Sequence, residues 1–216
     1  MQINSDMILK DNNVKKLIEI ALEEDLHGGD STSESTLRDN LEIKAVMIAK
    51  EKGIIAGLIL VPLIIEIAKQ KGFIKEDLKF EPLIGEGVFI NTFEDIGYFE
   101  GHVKEILALE RTILNFVSRI SGIASRVNTM VEILKNSRAN IYDTRKTLPG
   151  WRLLDKYAVA RGGGTNHRLD LSEYLMIKDN HWDGDKQGVL EYLRSLKKNR
   201  EKLVEIEVDN VKYFDY

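Results

Sequence analysis

Apolar residues recur at helical spacing from Val14 to Leu26, where Val14, Leu17, Ile18, Ala21 and Leu22 form one stripe. Asn12 or Asn13 is placed to cap that helix. The turn-rich stretch HGGDSTSEST (His27–Thr36) reads as a loop. Ile43–Ala49 alternates roughly as a strand does, and Ile54 begins a short strand that runs into a helix through Lys71. Short extended pieces around Gly85, Gly87 and Gly97 are expected between Phe73 and Phe99. Together these elements predict an α+β domain over residues 1–105. From His102 to Lys135 the pattern is continuously helical, and Ser121-Gly122 predicts a break into two consecutive helices.

Beyond Lys135 the pattern changes. Ala139–Tyr142 reads as a strand, and Gly150–Arg161 as a helix with Trp151, Leu154, Tyr157 and Ala158 on one face. Tyr174–Ile177 reads as a second strand, Gly188–Leu196 as a helix and Leu203–Val208 as a third strand. This alternation predicts parallel βαβ units over residues 106–216, closed as a barrel or doubly wound. The fold class expected is therefore α/β. The run KKNRE (Lys197–Glu201) reads as a solvated helix end.

Composition narrows the chemistry. The chain has 216 residues, 43% hydrophobic and 31% charged, which is the balance of an ordinary globular protein. It contains no cysteine, so disulfides, thiolate catalysis and cysteine-held metals are excluded. Only four histidines are present, which argues against a histidine-rich metal centre. A net charge of −4 argues against bulk affinity for nucleic acid but leaves room for a local cationic pocket. The longest apolar run, Ile54 to Ile67, is interrupted by Gly57 and Pro62 and falls short of a membrane span. The first residues lack a basic start and an apolar core, so a cytoplasmic location is expected.

In parallel α/β folds the working groups gather at the carboxyl ends of the strands. The first strand exit carries Asp143-Thr144-Arg145-Lys146, and the second Lys178-Asp179-Asn180-His181. The third strand carries Glu205 and Glu207, two residues apart and so on one face. Between the first helix and the second strand runs Arg161-Gly-Gly-Gly-Thr-Asn-His-Arg168. Arg145, Lys146, His167, Arg168 and Lys178 thus form a cationic set suited to a multiply anionic small molecule. Each feature has a plainer reading. Arg145-Lys146 could be a surface pair, Gly162–Gly164 a helix stop, His167 structural, and Glu205 and Glu207 solvent-facing. Chance decoration of every strand exit is the harder account. The spacing of Arg111 and Arg119 does not put them on one helix face, and sequence leaves their roles open.

Five stretches resemble the quinolinate phosphoribosyltransferase family: ALEEDLHGGDSTSES (Ala21–Ser35), ERTILNFVSRISGIAS (Glu110–Ser125), DTRKTLPGWRLLDKYAVARGGGTNHR (Asp143–Arg168), LMIKDNH (Leu175–His181) and VEIEVDN (Val204–Asn210). The resemblance runs from about residue 14 to 210. It implies an N-terminal α+β sandwich domain followed by an incomplete α/β barrel. It also implies transfer of a phosphoribosyl group from phosphoribosyl pyrophosphate, with Mg2+, to quinolinate. The products would be nicotinate mononucleotide, pyrophosphate and CO2, a step of NAD biosynthesis. Matched position by position, it implies that Arg145, His167 and Arg168 hold the quinolinate carboxylates, with Lys146 and Lys178 beside them. Glu207 would lie near the donor's ribose hydroxyls and magnesium. Arg111 would reach across a homodimer interface into the neighbouring site. Lys146, Lys178 and Glu207 are the residues expected to act on the reacting groups.

The resemblance also carries departures. The family continues past the VEIEVDN strand, whereas this sequence stops six residues after Asn210. That predicts loss of the 5′-phosphate site, an open strand edge, poor solubility or reliance on oligomerisation, and low turnover. Asp170, Leu148 and Glu173 replace the residues usual at those places. A homologue that binds quinolinate or dimerises without turnover, and a molybdenum-operon paralogue, are the competing readings.

Overall fold

The computed structural model describes residues 2–196 and 204–208. By its internal packing the chain divides into two compact units, Met1–His167 and Arg168–Tyr216.

The first unit begins with two short-linked helices, α1 (Ser5–Lys10) and α2 (Asn12–Leu26). The helix predicted from the stripe forms, burying Val14, Ile18, Leu22 and Leu26. Its cap is neither Asn12 nor Asn13. Asp11 has the extended backbone a cap needs, and its carboxylate accepts from the Asn13 and Val14 amides. The stretch expected to be a loop holds a third helix, α3 (Ser31–Thr36). Asp30 caps it by accepting from the Thr32 and Ser33 amides and the Ser33 hydroxyl. STSEST has no apolar stripe, so only the cap could have announced this helix.

β1 (Glu42–Ile48), β3 (Leu78–Pro82) and β5 (Asp95–His102) form an antiparallel sheet in the order β1-β5-β3. Phe80 lies opposite Phe99 in the ladder, their rings 4.8 Å apart. β2 (Gly53–Ile54) pairs antiparallel with β4 (Phe89–Ile90). Between them α4 (Leu60–Gln70) is buried nearly all round, with Leu60, Val61, Leu63, Ile64, Ile65, Ile67 and Ala68 in the core. Pro62 is tolerated because the first helical turn has no amide partner to lose.

α5 runs unbroken from Val103 to Leu134, so the expected break at Ser121-Gly122 does not occur. The Ser121 and Ser125 hydroxyls accept from the amides of Ala56 and Ile54. These bonds fasten β2 and the segment just after it to the helix where its own propensity is weakest. α6 (Arg152–Arg161) packs on α5 and buries Leu154, Lys156, Tyr157, Ala158 and Val159. The strand expected at Ala139–Tyr142 is reduced to one parallel bridge, Tyr142 to Thr165.

In the second unit β6 (Leu175–Ile177) and β7 (Val204–Ile206) pair in parallel. The intervening helix α7 (Asp179–Leu196) starts nine residues earlier than expected and kinks at Asp185. It buries none of its residues. The expected strand residue Leu203 and the KKNRE run lie outside the described residues. Among the described residues no helix is long and apolar enough to cross a membrane.

Candidate functional site

The Tyr142–Thr165 bridge lays two segments of the first unit side by side. The Asp143 amide donates to the Thr165 carbonyl (3.2 Å), and the Thr165 amide to the Ile141 carbonyl (2.8 Å). Arg145 and Lys146 follow the first segment, and His167 ends the second. The Lys146 amide donates to the Thr144 hydroxyl (3.1 Å), and the Thr147 amide to the Arg145 carbonyl (3.0 Å). Lys146 itself is exposed. Arg145 is half-buried, and its Nε is shielded from solvent with no hydrogen-bond partner. The His167 ring stands edge-on to Tyr142, centroids 6.2 Å apart.

Behind these groups lies a cluster that sequence reasoning missed. Lys156 is fully buried and ion-paired with Asp143, whose side chain is also buried. Asp143 further accepts from the His167 amide (2.9 Å) and from Asn166 Nδ2 (2.6 Å). The available signal was a lysine set directly beside the buried stripe Leu154, Tyr157 and Ala158. Long charged side chains usually reach out of such positions to water, so the lysine passed unnoticed.

The triple glycine is explained by packing. A side chain at Gly162 would stand 2.4 Å from the Ala124 carbonyl of α5, and one at Gly164 would meet Val159 and Val127. Gly163 has φ of +90°, a left-handed turn conformation. The turn and the contact with α5 therefore require these glycines without any ligand.

The long-helix arginines separate clearly. Arg119 donates to both carboxylate oxygens of Asp155 (2.8 and 3.0 Å) and lies over the Trp151 ring, which stacks on Phe116. It is a strut between α5 and α6. Arg111 is exposed on α5. Tyr157 is held well above the usual phenol range, first by burial and then by the neighbouring Glu86 carboxylate, so it stays protonated. It donates to Glu86 (2.9 Å), which also accepts from the Gly57 and Ile59 amides.

In the second unit the Arg168 amide donates to the Tyr174 hydroxyl (3.1 Å), and its guanidinium to the Tyr174 carbonyl (3.1 Å). Burial raises the Tyr174 hydroxyl above its ordinary range. Lys178, at the carboxyl end of β6, is ion-paired with Glu207, just past the end of β7. The Glu207 amide donates to the Ile177 carbonyl (2.9 Å), which continues the ladder and fixes that juxtaposition. Glu207 thus meets a cation, as an acidic residue at a strand exit should. The Lys178 amide donates to His181 Nδ1 (3.1 Å).

A groove of about 910 Å³ runs between β1, β2 and α5, past Met47, Ile54, Ile113 and Ser121. None of the strand-exit cations lines it, so chemistry rather than size marks the candidate site.

Residues 30–121 match the N-terminal domain of quinolinate phosphoribosyl transferase, and residues 123–215 its C-terminal domain. The chain belongs to the quinolinate phosphoribosyltransferase family. It is 39% identical over 201 residues to a chloroplastic carboxylating nicotinate-nucleotide pyrophosphorylase of Arabidopsis thaliana, covering 90% of this chain and 55% of that protein. A probable carboxylating nicotinate-nucleotide pyrophosphorylase of Bacillus subtilis is 37% identical over 170 residues, 78% of this chain and 56% of that protein. The chain spans about half the length of the curated relatives it matches. Among solved structures, the nicotinate-nucleotide pyrophosphorylase of Francisella tularensis superposes with a TM-score of 0.82 at 32% identity, covering 98% of this chain and 74% of that one. The mixed helix-and-sheet architecture expected from the sequence is therefore that of its family.

Proposed function

We propose that this chain serves phosphoribosyl transfer from phosphoribosyl pyrophosphate to quinolinate with loss of CO2. The observation that carries the reading is Arg145. It is a half-buried cation whose side chain makes no hydrogen bond to another described residue, in a segment tied to His167 through Asp143. Such a group is suited to a carboxylate, which accepts two parallel N–H bonds from one guanidinium.

In this reading Arg145, His167 and Arg168 hold the two carboxylates of quinolinate, and Lys146 and Lys178 balance their charge. The pyridine nitrogen is the nucleophile, so the protein need supply none. As pyrophosphate leaves, C1 of the ribose gains oxocarbenium character, and Glu207 favours it by orienting the hydroxyls. Loss of the 2-carboxylate as CO2 leaves an electron pair at C2, stabilised by the adjacent quaternised nitrogen. Among the described residues no group of three or more His, Asp or Glu could hold a metal. Magnesium fits instead as part of the donor, liganded mainly by its phosphate oxygens, with at most one or two carboxylates of the Glu207 kind. It would supply charge neutralisation to the departing pyrophosphate.

Arg111 is assigned to the neighbouring subunit's site in a homodimer. Its exposure on α5, outside the Arg119 strut, supports that role.

Isothermal titration with quinolinate, then with phosphoribosyl pyrophosphate and magnesium, tests the binding steps, and release of CO2 and pyrophosphate tests transfer. Quinolinate binding that Arg145→Ala weakens is expected. Binding without release would favour the non-catalytic reading, and no quinolinate binding to folded chain would overturn the site assignment.

A further inference from the structure

We propose that the buried Asp143–Lys156–Asn166 cluster is a positioning device that sets the orientation of His167 and the placement of Arg145 without touching substrate. The inference rests on the reading of those two residues as carboxylate-binding groups.

The geometry is specific to one peptide. Asp143 Oδ1 accepts from the His167 amide (2.9 Å), while Lys156 Nζ donates to the His167 carbonyl (2.9 Å). The two partners of one ion pair thus grip the two backbone polar groups of one residue. With both groups held, the backbone of His167 is clamped, and its ring is presented edge-on to Tyr142. Arg145 follows Asp143 by two positions, so the anchor that clamps His167 also holds the start of the Arg145 turn.

Asn166 locks the arrangement. Its Nδ2 donates to Asp143 Oδ2 (2.6 Å) and to the Lys156 carbonyl (2.7 Å). Its Oδ1 accepts from the buried Ile3 amide (2.7 Å). Gln2 closes the far side by donating to the Gly164 carbonyl (3.1 Å) and accepting from the Asn166 amide (3.4 Å). Every polar side-chain atom of Asn166 and Asp143 is therefore used.

Stability alone does not account for the pair. A buried ion pair seldom improves on well-packed apolar side chains of the same volume, because desolvation offsets the attraction. What an apolar pair could not do is bind a peptide N–H and a peptide C=O at once. The pair also carries no net charge, so it can orient the cationic groups without adding to or subtracting from their pull on a dianion.

The test uses Lys156→Met and the double substitution Lys156→Met with Asp143→Asn in the full chain. The single substitution strands a buried carboxylate and should lower the melting temperature. The double substitution removes both charges and should recover most of that loss. Quinolinate titration and the His167 ring resonances, referenced to Tyr142→Leu, separate positioning from stability. In the double variant quinolinate binding should stay weaker by about tenfold, the equivalent of one charge-assisted hydrogen bond. The His167 resonances should lose the shift that Tyr142 imposes. Recovery of binding together with melting temperature, or unmoved His167 resonances, would overturn the proposal. If unmodified chain does not bind quinolinate, the functional reading fails, and the His167 spectrum still decides this one. Should the double variant not fold, the spectrum is read in Lys156→Gln, which removes the cation that holds the His167 carbonyl while leaving Asp143 a neutral donor. A moved His167 signal supports the device, and an unmoved one rejects it.

Discussion

Arg119 and Arg145 place the same side chain in two different situations. Arg119 has its carboxylate, Asp155, and its aromatic platform, Trp151, inside the protein. Replacing it with alanine leaves Asp155, only 14% exposed, without its partner. Arg119→Ala should cost about 1–3 kcal/mol of stability in a denaturant melt, with quinolinate affinity changed less than in the other variant. The Arg145 side chain makes no hydrogen bond to another described residue, so Arg145→Ala should change stability by less than about 0.5 kcal/mol. Isothermal titration should show quinolinate binding weakened by about tenfold to a hundredfold, the loss of a charge-assisted bond or a bidentate pair. Both arginines were visible in the sequence. Only the structure separates the one that braces two helices from the one whose side chain has no hydrogen-bond partner among the described residues, because sequence says nothing about what a distant segment presents.

Short elements depended on single side chains that hydrophobic periodicity does not register. Asp30 makes α3: the hydrogen bond from Ser33 is the largest influence holding its carboxyl below the usual aspartate range. A group lowered on folding contributes stability above its unfolded value, near about 3.9 for aspartate, and loses it as pH falls through the folded value. Protection of the amides in residues 31–36, relative to the intrinsic exchange rate at each pH, should therefore fall below about pH 4, and Asp30→Ala should abolish that pH dependence while costing about 0.5–2 kcal/mol at neutral pH. Gly162 is an opposite case, a residue needed for what it lacks. Gly162→Ala would drive a methyl group against the Ala124 carbonyl and should cost about 1–3 kcal/mol by thermal melt. The predicted helix break shows the limit of local signals. Gly122 weakens a helix by about 1 kcal/mol relative to alanine, and the bonds of Ser121 and Ser125 with the Ala56 and Ile54 amides, with the packing around them, outweigh it.

Across the whole molecule, burial is uneven. α5 buries ten of its residues, whereas α7 buries none. Hydrogen exchange should accordingly be slowest along α5 and markedly faster in α7 and the β6–β7 pair; equal protection in both would contradict this. The proposed homodimer makes a sharper demand. Mixing Arg111→Ala chains with Arg145→Ala chains should restore quinolinate binding at about a quarter of the sites by random pairing, with no recovery if Arg111 serves its own subunit. The sequence by itself determined the α/β class, the helix α2 with most of its buried face, the existence of α4, and the β6 exit where Lys178 stands. These follow from period and order along the chain, which burial imposes locally. The motifs likewise carried the family. Only the tertiary structure decided that Lys156 is interior, that it and Asp143 hold the His167 backbone, that Arg119 is a strut and that the three glycines answer to α5. Each of those depends on which atoms from distant parts of the chain meet in a space without water. There a polar group must find a partner, and no local pattern names it.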